Sequence, residues 1–420
     1  MKPLVYLLLV VLLAGGVTGL VSAQDAPAAI SPALAAHLDT LEAATIRLRG
    51  LEALSPVARH FPEREEVVDY IRRSFETQLT DAIVRRETQF YLGFELLPPG
   101  TDLLAVYLNF LSSPSGVAGY YDTDTRQMNV LSLGGARRDQ LPLLEQIVYV
   151  HEYTHALQDQ HFDLHRLLDD PTLMDNPDRA IAVQSLVEGD ATAVMTGYLQ
   201  AVAQRNPLAA LGMVVQSFQA GAFSIPPDTP DFIVTELTFP YQDGMTFVNA
   251  LLREGGWEAV NRAYDELPVS SEQILHPEKY LAGEAPQPVA LASQAPAEGW
   301  ERLIDRSLGE FYLRAFLRTQ LPALAARTAA AGWGGDRFHL YYEAQGDRRA
   351  WALKLVWDTP ADADEFAEAF SQFAAARFPD GETDGECWWT AAAALCLLDS
   401  GETTLAAAPT PALARALEAR

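Results

Sequence analysis

Two histidines four residues apart inside a helical run constrain this chain more than any other feature. The run is LPLLEQIVYVHEYTHALQDQ, in which His151 and His155 bracket Glu152. In an α-helix, residues four apart lie about 40° apart around the axis and one turn above each other, so both imidazoles face the same way. Ile147, Val148, Val150 and Tyr153 crowd the motif, which marks the helix as buried. Buried imidazoles and a buried carboxylate need partners. One zinc ion per chain would supply them, with His151 and His155 as ligands and Glu152 placed to take a proton from water. The fold must therefore bury this helix and bring a further ligand to it.

Two residues compete for that place. His161 has the spacing of the last histidine in HExxHxxGxxH, but the position of its glycine is Gln158. On a straight helix His161 would stand roughly 80° round from His151 and about 15 Å further along, too far to share an ion. Glu188 sits in SLVEGDAT, on a separate helical stretch running from about 178 to 203. Gly189 allows close approach of another backbone, and Ala191 and Ala193 allow tight helix packing. Glu188 is the expected third ligand. Two histidines and one glutamate leave a fourth position open, the pattern of a catalytic zinc and not a structural one.

HEYTH followed by a helix bearing EGDA resembles the zincin metallopeptidases, in their glutamate-liganded, thermolysin-like branch. The wider string GYYDTDT…HEYTHALQDQHFDL…LVEGDAT…SSEQILHPEKY is similar to a set of exported bacterial proteins described as metallopeptidases. The likeness covers about 115–200 closely and 34–325 more loosely. It implies zinc at His151, His155 and Glu188, with Glu152 as general base and a peptide or protein as substrate. One departure stands out. Thermolysin-like enzymes often carry an aspartate four residues after the glutamate ligand, and here that residue is Thr192. Support for a ligand histidine would then come from Asp159 or Asp190.

Zincins also place an edge strand beside the substrate, and VAGYYD and QMNVLS both stand at the right point in the chain. A donor to the developing oxyanion is needed as well. His276 in ILHPEKY is the candidate, with Tyr280 and Tyr121 as rivals. Two other functions compete: a silent zincin-fold scaffold, which would have no need of Glu152, and hydrolysis of a non-peptide amide of the cell envelope.

The remaining features bound the molecule. A net charge of −26, from 56 acidic and 30 basic residues, repels phosphate backbones and excludes nucleic acid as a partner. Residues 1–23 read as a signal peptide cleaved after Ala23, giving a secreted or extracytoplasmic protein. A membrane enters only if that apolar segment stays uncleaved. Residues 24–33 read as a linker. Residues 34–328 read as a mostly helical zincin-like domain with a small edge sheet, in parts 34–112, 113–203 and 204–328. Within it, 221–241 reads as a Pro-rich loop and 300–325 as helical. Residues 329–420 read as a small ββαββ domain, giving an α+β chain in all. Cys387 and Cys396 flank WWTAAAAL, a plausible hairpin, and a disulfide between them suits an exported chain.

Overall fold

The computed structural model describes residues 30–113, 116–131, 139–173, 175–219, 225–399 and 403–417. The expected signal peptide and most of the linker lie outside them. The class is α+β, as expected: long helices with a three-stranded sheet and a seven-stranded antiparallel sheet. No described helix is long and apolar enough to cross a membrane.

The chain divides into two units. The first comprises the described residues of 1–80, 102–174 and 183–267; the second comprises 81–101, 175–182 and 268–420. In the first unit, α1 (Pro32–Arg49) starts where Ser31 accepts a hydrogen bond from the Leu34 N–H and Pro32 fixes the first turn. It ends at Gly50, whose φ of 73° is left-handed. The helix α2 (Leu143–Phe162), which carries HEYTH, packs on α1. Leu34, Leu38 and Leu41 of α1 share a core with Tyr149, Tyr153, Ala156 and Leu157 of α2.

The helix α3 (Pro177–Arg205) carries Glu188 and enters the first unit at Val183. The helix α4 (Asp231–Asp265) begins well before Gly244. The Pro-rich loop expected over 221–241 is thus helical from Asp231, with Pro240 inside the helix. Gly255 and Gly256 bend α4, leaving helical geometry at φ −153° and +63°.

The small sheet has the order β1-β3-β2, formed by β1 (Ala58–His60), β2 (Gly119–Asp122) and β3 (Gln127–Val130). β1 pairs parallel to β3, and β2 pairs antiparallel to it. VAGYYD therefore supplies an edge strand, and QMNVLS lies inside the sheet. β1, only three residues long, lacks the length to show a sequence period.

The second unit corrects the expected boundaries. Its sheet runs β4-β5-β6-β10-β9-β8-β7. The strands are β4 (Glu301–Arg306), β5 (Trp333–Glu343), β6 (Arg348–Trp357), β7 (Glu382–Thr383), β8 (Cys387–Trp389), β9 (Ala394–Asp399) and β10 (Thr403–Ala408). The segment expected to be helical over 300–325 opens with β4, so the unit starts well before 329. Residues 81–101, expected in the first domain, belong here too. Arg306 makes a bidentate pair with Glu87 at 2.9 Å through both nitrogens, and the Trp351 indole donates to the Gly93 carbonyl at 2.7 Å. Both members of the Arg306–Glu87 pair are buried, and a buried charged pair of this kind leaves no apolar pattern to read.

Cys387 and Cys396 form the expected disulfide across the β8–β9 hairpin. Their Cα atoms lie 4.0 Å apart. They face each other as a directly opposed pair, with the flanking Leu397 N–H bonded to the Glu386 carbonyl. In such non-hydrogen-bonded pairs the two backbones approach most closely.

Candidate metal centre

His151 and His155 leave α2 from one face, as their spacing requires, and Glu188 meets them from α3. The Nε2 atoms of the two histidines are 3.1 Å apart. Glu188 Oε2 lies 3.1 Å from His151 Nε2 and 3.5 Å from His155 Nε2. All three residues are buried, Glu188 completely. His161 stays outside this group: it bonds the Glu52 carbonyl at 2.7 Å on the exposed side of the helix end.

A glycine contact makes the meeting of helices possible. A Cβ on Gly189 would stand 2.2 Å from the Gly244 carbonyl carbon, and one on Gly244 would stand 2.2 Å from the Ser185 oxygen. α3 and α4 therefore touch backbone to backbone. That crossing brings Tyr241, one turn before Gly244, to the site. Its ring centroid is 6.0 Å from that of His151, and its phenol hydrogen-bonds Glu188. Burial, then the charges of Glu188 and Glu152, hold the Tyr241 phenol well above its ordinary range, so it stays protonated.

The histidine support comes from an unexpected residue. Gln158 Nε2 donates to the Val187 carbonyl at 3.0 Å, which turns its Oε1 to His155 Nδ1 at 2.8 Å. His155 Nδ1 thus carries a proton, and Nε2 is the nitrogen that would offer a lone pair to a bound cation. Gln158 links the His155 ring to the backbone just before Glu188. Asp159 and Asp190, the expected supports, are engaged elsewhere: Asp159 accepts from the Tyr121 phenol at 3.0 Å, and Asp190 pairs with Arg49 and Tyr264.

The electrostatics follow from burial and crowding. Burial raises Glu152 to about 8, helped by Glu188 and opposed by His155 and a hydrogen bond from the Tyr121 N–H. Burial alone would lower His155, but Glu188 and Glu152 bring it up to about 9. Burial would raise Glu188, yet the two histidines hold it at about 2. His151 is lowered, chiefly by burial.

The donor set fits a cation. Two imidazole nitrogens and a carboxylate oxygen converge to within 3.5 Å of one another. His151 Nδ1, Glu188 Oε1 and Glu152 Oε2 are buried without a hydrogen-bond partner, a cost that a positive charge among them offsets.

The edge strand passes beside this group. A Cβ on Gly119 would meet Val148 at 2.9 Å and Glu152 at 3.1 Å. The Ala118 carbonyl accepts from Leu131, so ladder alternation turns the backbone groups of Gly119 and Tyr121 away from β3. The Tyr121 N–H, on that open edge, bonds Glu152.

His276 lies in the second unit. Its Nε2 sits 3.0 Å from Glu310 and its Nδ1 3.8 Å from Glu278. The ring is held by carboxylates of its own unit. Of the rivals, Tyr121 commits its phenol proton to Asp159, and Tyr280 belongs to the second unit. The phenol beside the triad is that of Tyr241, which its Pro-containing context hid in the sequence.

The chain is thus an α+β protein with a buried two-histidine, one-glutamate cluster beside a sheet edge. Residues 285–418 match a family described as a domain of unknown function, DUF8575; the match falls within the second unit. A crystal structure from Chloroflexus aurantiacus, described as a "putative hydrolase with a novel fold", aligns with a TM-score of 0.37 and 20% sequence identity. The alignment covers 62% of this chain and 91% of that one. The chain matches no curated protein in sequence.

Proposed function

We propose that the protein is an exported, zinc-dependent metallopeptidase of the zincin kind. The observation that carries this reading is the convergence of His151 Nε2, His155 Nε2 and Glu188 Oε2 within 3.5 Å of one another, with Glu152 beside them. Zinc suits two nitrogens and one carboxylate oxygen with a place left open; when bound, it supplies Lewis acidity to water and to a substrate carbonyl.

The chain's own residues do the rest. Glu152 would take the proton from the attacking water and pass it to the leaving amine. The Tyr121 N–H orients the carboxylate. Tyr241, whose phenol hydrogen-bonds Glu188, would turn that hydrogen to the carbonyl oxygen as negative charge grows there. The open edge at Gly119 and Tyr121 accepts an extended backbone as an added strand, which favours a peptide over a non-peptide amide. The Cys387–Cys396 disulfide suits an oxidising compartment outside the cytoplasm.

Metal analysis of the purified chain, combined with digestion of casein or a peptide library, tests the reading. Wild type and Glu152→Gln should each hold one zinc, but the variant should lose roughly 10²–10⁴-fold in turnover, as loss of a general base does. His155→Ala should lose zinc and activity together. A wild type without zinc, or a Glu152→Gln variant cleaving at the wild-type rate, would refute it.

A further inference from the structure

We infer that α1 is a working part of the metal centre, with Arg49 a positioning residue for the ligand Glu188, and not a pro-segment to be removed. The inference rests on the metal reading above.

Arg49 is the last residue of α1, and its side chain is wholly buried. Its Nε lies 2.7 Å from one oxygen of Asp190 and 3.0 Å from the other. Asp190 is also wholly buried and accepts from the Tyr264 phenol at 2.9 Å. The guanidinium lies over Trp257, 4.4 Å from its ring centre, and 5.9 Å from that of Phe162. Phe162 in turn stacks on Tyr264 at 4.0 Å. Residues from α1, α2, α3 and α4 thus close around one ion pair.

Asp190 follows Glu188 by two positions on α3, about 200° round the helix. The histidines hold one side of α3 through Glu188, and Arg49 holds the other through Asp190. Rotating α3 breaks one of the two. Removing α1 would leave Asp190 a buried, unpaired carboxylate, an arrangement far more costly than an intact pair. It would also uncover Tyr149 and Tyr153, which flank His151 and pack on α1. Tyr149 donates to Glu42 of α1 at 2.6 Å. A detachable pro-segment would not carry the counter-charge of the ligand helix.

The test uses the full chain, with zinc affinity from chelator competition and the absorption spectrum of the cobalt(II)-loaded protein. Arg49→Met should weaken zinc about tenfold or more and alter the cobalt spectrum, although no ligand changes. Arg49→Met combined with Asp190→Asn removes both charges and should bring affinity back to within about threefold of wild type. Wild-type affinity in the single variant, or a double variant as weak as the single, overturns the inference. Should Arg49→Met fail to fold, hydrogen exchange on the wild-type chain decides. Zinc should protect amides of residues 34–49 together with those of 183–195; protection confined to 183–195 overturns it. A wild type that binds no zinc removes the metal reading and this inference together. Zinc binding indifferent to Arg49 removes this one alone.

Discussion

At the scale of single residues, the shared face of His151 and His155, with Glu152 between them in sequence, was readable because helix geometry is local: four residues make one turn, whatever surrounds them. Glu188 was readable for a different reason, since SLVEGDAT places a carboxylate among small and apolar neighbours that bury it. Gln158 was visible only as a missing glycine. Its role depends on Val187, which comes to it across a helix interface that no spacing announces. Tyr241 is the residue that most needs testing. On the proposed mechanism its phenol would turn from Glu188 to the carbonyl oxygen as charge grows there, so Tyr241→Phe should retain zinc and leave KM nearly unchanged. Its kcat should fall roughly 10²–10³-fold, the usual loss for one oxyanion donor. A kcat within about twofold of wild type would return that role to another group.

At the scale of elements, α2 and α3 were legible from periodicity, and α4 only in its middle, where the sequence reads as helix from about Gly244 to about Gly255. Pro240 was read as the mark of a loop, yet the helix carries it and continues. β4 was read as helix because ERLIDR has little apolar alternation, and its buried Arg306 is satisfied by Glu87 from far along the chain. Long-range pairs of this kind are set by tertiary structure and escape local reading. The glycine crossing of α3 and α4 gives a sharp contrast between two equal substitutions. Gly244→Ala would drive a methyl against the Ser185 backbone, which cannot step aside as a side chain would. It should destabilise the first unit by roughly 1–3 kcal/mol or more and weaken zinc binding. Gly212→Ala, on an exposed helical position with nothing within 4 Å, should be neutral or raise stability by roughly 0.5–1 kcal/mol. Thermal midpoints of the two variants check the pair; equal midpoints would contradict the backbone contact.

At the scale of the whole molecule, the two units carry different reporters and different charges. Of the seven tryptophans, only Trp257 belongs to the first unit, so indole fluorescence follows the second. That unit buries Asp178, Glu272 and Asp336. Burial lifts Glu272 from 4.5 to about 7, against Lys279 and with Asp358 and Glu310, and lifts Asp336 from 3.8 to about 6. Asp178 also moves well up, and Glu310 holds His276 above its usual value. Raised values mean that the folded unit binds these protons more tightly than the unfolded chain. Their contribution is complete at acid pH and fades as pH climbs through about 6 and about 7. The urea midpoint read by tryptophan fluorescence should therefore be lower at about pH 8 than at about pH 5.5; a higher one would be incompatible with these burials. The glycine crossing in the first unit has a mechanical side. Two backbones in van der Waals contact, with no side chain between them, resist separation because a void would open, but they can still swivel about the point of touch. Tyr241 sits one turn from that fulcrum, on a short arm, while the start of α4 at Asp231 is on a long one. A swing about that point would move the helix turn that bears Tyr241 only about a quarter as far as it moves the start of α4 at Asp231.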